Sequence, residues 1–209
     1  MITICKKFLK HINRISVRYI FVCFLFLSCN VEKSKLPVLN YKINASGKKE
    51  FYTVHYKEGF KNQLNENFTD KNIHNKIFIA NFFFTRCPSI CPPMRQNIIK
   101  LVSTINHKDF LVVSHTIDPK NDTPEILKAY AKTTDIDSKK WQFITANTAI
   151  TKALAENYMT NFNAIENSED FYHSSYAALL DRKKQIRGFY NLLIEEELER
   201  LIADIETLL

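Results

Sequence analysis

Cys87 and Cys91 stand four residues apart in Cys87-Pro-Ser-Ile-Cys91, directly after the apolar run Ile77-Phe-Ile-Ala-Asn-Phe-Phe-Phe-Thr85. Thiols at a strand end, ahead of a helix, suit redox or soft-metal chemistry. If the second cysteine opens a helical turn, residues i and i+4 share a face, and both sulfurs can point at one atom or at each other. The thioredoxin-type Cys-x-x-Cys is one residue tighter. The wider spacing permits a disulfide and also leaves room for a metal between the sulfurs. A purely structural disulfide over so short a loop would constrain the unfolded chain little.

Of five cysteines in the 209-residue chain, Cys5 and Cys23 fall in a segment with the marks of an export signal. It has a basic start (Lys6, Lys7, Lys10, Arg14, Arg18) and the apolar core Tyr19-Ile-Phe-Val-Cys-Phe-Leu-Phe-Leu27, closed by Ser28-Cys29. That core is shorter than the ~20 residues of a transmembrane helix; an uncleaved anchor with snorkelling arginines is the alternative. The segment resembles a bacterial lipoprotein signal, in which residues 1–28 are removed and Cys29 is lipidated. Phe26 and Leu27 depart from the usual lipobox, which prefers Leu and a small residue there. On this reading Cys87 and Cys91 are the two remaining thiols. Removing the five basic residues of the signal from the total of 29 leaves 24 against 22 acidic residues. The basic balance is therefore largely that of the signal, and no Lys/Arg cluster interleaved with aromatics marks a nucleic-acid partner.

The elements that must position the thiols follow from periodicity. Residues 30–49 are polar and Lys-rich and read as a tether, so the expected layout is a lipidated tether over 29–49 and a domain over 50–209. Residues 50–56 alternate like a strand, and 59–67 read as a turn-rich hairpin. Residues 77–85 form a central strand covered on both faces. Pro92-Pro93 suit a helix start, with Met94, Ile98, Leu101, Val102 and Ile105 at helical spacing. Residues 110–117 form a second buried strand, ending at Asp118-Pro119. Asp122-Thr-Pro-Glu125 opens a helix to about Lys132, with Asp122 read as its cap. Residues 141–146 are a strand and 148–158 a helix. Residues 175–180 and 185–190 form an antiparallel hairpin, and 193–209 an amphipathic helix. This predicts an α/β, thioredoxin-like fold: a central mixed sheet flanked by helices, with an N-terminal hairpin extension and the dithiol at the first βα junction, at the carboxyl end of a strand.

Three patches then line up: Phe82-Phe-Phe-Thr-Arg-Cys-Pro-Ser-Ile-Cys-Pro-Pro-Met94, Thr116-Ile-Asp-Pro-Lys-Asn-Asp-Thr-Pro-Glu125 and His173-Ser-Ser175. Together they resemble the Sco/SenC family of copper-binding, thioredoxin-like proteins, from about Phe60 to the C-terminus. Ala146 and Lys183-Lys184 stand where the family tends to have Gly. The resemblance implies a copper site of Cys87, Cys91 and His173, with Asp118 as a nearby acid that hydrogen-bonds within the site and tunes protonation. The residue types agree. Structural zinc wants four protein ligands and catalytic zinc three plus water, iron–sulfur clusters generally want four cysteines, and two thiolates with one imidazole suit Cu(I), while the imidazole also accepts Cu(II).

Most other candidates have plainer readings. Met94 reads as helix core, His115 as a core or edge residue of its strand, and Arg187 as structural. Arg86 either lowers the neighbouring thiol pKa or is a solvated charge. His55, His74 and His107 carry no motif.

Function then divides in two. The resemblance implies a lipid-anchored protein of the cell envelope, facing the periplasm, that delivers copper to the dinuclear centre of a haem–copper (cytochrome c) oxidase by docking on its copper-centre subunit. The alternative is an enzyme, a thiol–disulfide oxidoreductase that reduces partner cysteines, with Cys87 attacking, Cys91 resolving and an envelope thiol reductant restoring the pair. A peroxiredoxin-type peroxidase fails on pattern, because Phe84 stands where the hydroxyl three residues before the attacking cysteine belongs.

Overall fold

The structure, a computed structural model, describes residues 35–164 and 171–209. The signal segment, the Cys29 lipidation site and the first part of the tether lie outside the described residues. Strands β1 (Tyr41–Ile43) and β2 (Lys49–Phe51) pair antiparallel around a turn in which Asn44 Oδ1 accepts from the backbone N–H groups of Ser46 and Lys48. The chain then runs outside any ladder to Tyr56, so the strand expected over 50–56 is confined to its first residues. A second hairpin, β3 (Phe60–Asn62) and β4 (Asn67–Phe68), realises the turn-rich 59–67 segment.

Strand β5 (Ile77–Phe83) is buried at every residue, as a nearly unbroken apolar run requires inside a covered sheet. Helix α1 (Cys91–Thr104) starts on Pro92-Pro93 and turns Met94, Ile98, Leu101 and Val102 inward. Strand β6 (Phe110–Thr116) is again buried throughout. Helix α2 (Pro124–Lys132) is capped by Thr123, whose side chain accepts from the Ile126 N–H. Strand β7 (Trp141–Thr145), helix α3 (Thr148–Asn157) and the short pair β8 (Asn163–Ala164) and β9 (Phe171–Tyr172) follow. The hairpin β10 (Tyr176–Leu180) and β11 (Ile186–Asn191) precedes the closing helix α4 (Glu195–Leu208), which buries Leu198, Leu201 and Ile205.

Seven strands make the main sheet in the order β11-β10-β5-β6-β7-β3-β4. The central trio β5, β6 and β7 is parallel, and the strands directly beside it, β10 and β3, are antiparallel to it. This is the expected mixed sheet with its flanking helices. The final hairpin turns through Lys184 at φ 62, the left-handed conformation that favours glycine; its ammonium group is held 2.6 Å from Asp70.

Part of the expected tether is built into the domain. Leu36 and Leu39 pack on the core. Asn40 is fully buried; its side chain donates to Tyr52 O at 2.7 Å and accepts from Ile186 N–H at 2.9 Å. The Arg187 guanidinium reaches Leu36 O and pairs with Asp181 at 2.8 Å, a structural role. Among the described residues no helix is long and apolar enough to cross a membrane.

Candidate metal centre

Strand direction brings residue 173 to residue 87. β10 lies antiparallel beside β5, with Ala178 opposite Ala80 and Leu180 opposite Phe78. The chain entering β10 therefore arrives at the end where β5 leaves. The rings of His173 and Phe84 meet edge-on, centroids 5.6 Å apart. β6 is parallel to β5, with Thr116 opposite Phe83, so Asp118 emerges at the same end. This is the carboxyl edge of the parallel strands, where sites of open α/β sheets gather.

There His173 Nε2 lies 3.8 Å from Cys87 Sγ and 3.6 Å from Cys91 Sγ. All three donor atoms fall within 4.8 Å of one another. His173 Nδ1 faces the Ser174 carbonyl at 3.3 Å, and Nε2 is the ring nitrogen that faces the two sulfurs. Bonds of about 2.3 Å to sulfur and 2.0 Å to nitrogen put such donors roughly 3.6–3.8 Å apart around a single ion. The two nitrogen–sulfur separations match, and the two sulfurs lie within 4.8 Å of one another, so the trio is grouped closely enough to take a single soft ion. Cys87, Cys91 and His173 are 6 %, 4 % and 8 % exposed, which excludes bulk water from such an ion.

The two thiols are not equivalent. Pro92 and Pro93 carry no N–H, so the free donor at the start of α1 is that of Cys91 itself. Burial pushes the Cys87 thiol up, but hydrogen bonds from the backbone N–H groups of Cys91 and Ser89, helped by their side chains, outweigh it and hold the thiol below its ordinary range. Burial drives the Cys91 thiol far above that range; the nearby charges of Cys87 and Asp122 add to the rise, against a backbone hydrogen bond at Phe84.

Around the trio, Arg86 pairs with the buried Asp118 at 2.9 Å, and Asn121 Nδ2 donates to both Asp118 oxygens at 2.9 and 3.0 Å. Asp118 thus addresses the residue before Cys87, and Arg86 is an ion-pair partner with its guanidinium on a buried acid. Asp122 corrects the sequence reading. Thr123 is the cap of α2, and Asp122 is a fully buried carboxylate that accepts from Thr85 N–H at 3.1 Å, from Thr85 Oγ1 at 2.5 Å and from Thr116 Oγ1. Burial raises its pKa, while the Thr116 and Thr85 hydrogen bonds oppose the rise. It ties the ends of β5 and β6 together directly before Arg86-Cys87. The hydroxyls of Thr85, just past β5, and of Thr116, the last residue of β6, were the available signal.

The remaining candidates lie elsewhere. Met94 is 1 % exposed helix core. His115 is fully within the core: its Nδ1 donates to Asn81 O at 3.0 Å, so Nε2 accepts from Tyr56 Oη at 2.7 Å, and Tyr56 Oη accepts from Tyr158 Oη at 2.6 Å. Among the described residues, Cys87, Cys91 and His173 are the one group of this kind able to hold a metal, so His55, His74 and His107 are not brought to it.

Comparison with known proteins agrees with this architecture. The SCO1/SenC family profile matches residues 47–209. A SCO1 protein homolog of Bacillus subtilis is 27 % identical over 191 residues, 88 % of this chain and 91 % of the relative. The crystal structure of a SCO1/SenC family lipoprotein from Bacillus anthracis superposes with a TM-score of 0.69 at 26 % identity, covering 82 % of this chain and 96 % of that one. Arabidopsis thaliana ScoI, crystallised with copper bound, shares the fold at a TM-score of 0.63 and 21 % identity, covering 74 % and 98 %. With the profile spanning nearly all of the folded part, the chain belongs to the SCO1/SenC family.

Proposed function

We propose that this protein binds copper through Cys87, Cys91 and His173 and passes it to the dinuclear copper centre of a haem–copper oxidase. The observation that carries the reading is the convergence of two sulfurs and one imidazole nitrogen, 3.6–3.8 Å from nitrogen to each sulfur, at one strand edge. The donor set selects a soft ion of low coordination, hence Cu(I), with Cu(II) open to the imidazole. Family membership and the copper-bound Arabidopsis relative support the metal. The cargo leaves by ligand exchange, as the partner's thiols replace those of Cys87 and Cys91 while a copper-centre subunit is docked on the strand edge. Asp118 acts by fixing Arg86 beside Cys87. Lipidation at Cys29 would hold the domain at the outer face of a membrane in the cell envelope, a placement supported by the lipoprotein relative of Bacillus anthracis. Anaerobic titration of the reduced full chain with Cu(I) tests the reading: one equivalent binds, and none binds at the site once the dithiol is oxidised. A Cys87→Ser protein that retains the full affinity would contradict it.

The inequality of the thiols favours a second use of the same site. Cys87, with two amide N–H groups directed at its sulfur, is built to attack. Its thiolate would attack a partner disulfide, releasing one partner thiolate and forming a mixed disulfide. Cys91 would lose its proton and attack Cys87, freeing the second partner thiol. The partner gains two electrons and this chain is left with a Cys87–Cys91 disulfide, which a thiol reductant of the envelope restores. His173→Ala separates the readings, since it removes a copper ligand and leaves the exchange thiols in place.

A further inference from the structure

Met159 occupies a position that does not suit it. Helix α3 ends in a Schellman motif: Thr160 N–H donates to Ala155 O and Met159 N–H to Glu156 O, both at 3.0 Å. Met159 is the residue just past the cap, where the left-handed backbone is normally supplied by glycine. Its φ is 53. The chain has three glycines and fills other left-handed positions with Asn65, Asn75 and Asp135, side chains that tolerate them. Lys184, the other long side chain at positive φ, gains an ion pair with Asp70. Met159 has no polar group with which to gain one, and its apolar side chain is 48 % exposed. Strain of this kind persists where the side chain has a use.

The surroundings indicate the use. Met159 and His173 line one open cleft of about 620 Å³, with Thr160, Ser174 and Tyr176 also on its walls. Of the metal trio, His173 is the member that lines this cleft. A thioether is a soft donor that holds Cu(I) without deprotonation. We infer that the Met159 sulfur is a transient Cu(I) ligand at the mouth of the site, capturing the ion in the cleft before His173 and the dithiol take it.

The inference rests on the copper reading above, and its test separates the two. The full chain carrying Cys87→Ser and Cys91→Ser, labelled with ¹³C at the methionine methyls, is titrated anaerobically with Cu(I) supplied as its acetonitrile complex. The Met159 methyl resonance, assigned by its loss in Met159→Leu, should shift, while that of Met94, on the buried face of α1, stays in place. With the dithiol intact, Met159→Leu keeps volume and removes the sulfur; it should slow Cu(I) loading about fivefold or more in stopped flow. Met159→Gly should raise the melting temperature by relieving the backbone and still load slowly, an effect that a purely structural methionine would not produce. A stationary Met159 methyl, or loading of Met159→Leu at the parent rate, overturns the inference. Failure of the parent chain to take up Cu(I) at all would instead remove the copper reading.

Discussion

Cys87 and Cys91 face the same imidazole yet respond oppositely to their surroundings, because amide N–H groups at the start of α1 reach one sulfur and apolar packing encloses the other. At neutral pH, iodoacetamide should therefore alkylate Cys87 about tenfold or more faster than Cys91. Peptide mass spectrometry over time reads the two rates, and equal rates would remove the attacker and resolver roles. His115 supplies a different test. Burial lowers its pKa to about 4, against the backbone hydrogen bond to Asn81, so the folded ring stays neutral where an unfolded one is already charged. Between about pH 6.5 and 4 the unfolded chain binds the extra proton, and stability falls as pH falls, by about 3 kcal/mol over the window. Denaturant melts across that range should show the slope, and His115→Phe should flatten it while lowering stability at neutral pH. A parent protein equally stable at both ends would refute the assignment.

At the scale of elements, the site depends on how two strand ends are joined. Asp122 accepts from Thr85 and Thr116 at the carboxyl ends of β5 and β6, and the next two residues after Thr85 are Arg86 and Cys87. Asp122→Ala leaves two hydroxyls and a backbone N–H without their acceptor, a loss of roughly 2–4 kcal/mol. Because the anchored loop carries a donor sulfur, Cu(I) affinity should fall as well, even where the fold survives. Thermal melts and competition with a Cu(I) chelator measure the two effects, and an unchanged affinity in a folded Asp122→Ala protein would confine Asp122 to stability. The sequence reading of this residue erred for an identifiable reason. An acid two residues before a proline matches a helix cap locally, and nothing local reveals that two threonines from distant strands need the same carboxylate.

The folded unit begins earlier than the polarity of its N-terminal stretch suggests. Among the described residues, packing on the core begins at Leu36. Asn40 bridges Tyr52 O and Ile186 N–H from inside the core, and Leu39 N–H donates to Ile186 O at 2.9 Å. Deleting residues 1–35 should leave the melting temperature within a degree or two, whereas deletion through Ile43 strips buried hydrogen bonds from β11 and should cost roughly 2–3 kcal/mol, several degrees for a domain of this size. If the longer deletion melts with the shorter one, the segment from Leu36 onward is a tether after all. A polar, Lys-rich composition could not show that one asparagine turns inward, because burial of a satisfied amide leaves no trace in hydropathy.

Sequence alone determined the parts whose physics is local. Unbroken apolar runs read as covered strands, helical spacing and the prolines Pro92, Pro93 and Pro124 set helix faces and starts, and two thiols at a strand end ahead of Pro92-Pro93 already limit the chemistry to soft metal or redox. Tertiary structure decided that the imidazole named by the family resemblance stands beside those thiols, that Asp118 pairs with Arg86, that Asp122 clasps two strands, and that Met159 shares a cleft with His173. The reason is that each of these is a contact across tens of residues, fixed by strand direction and register. An antiparallel β10 beside β5 returns the chain to the end where the cysteines lie, and no property of residue 173 by itself carries that information.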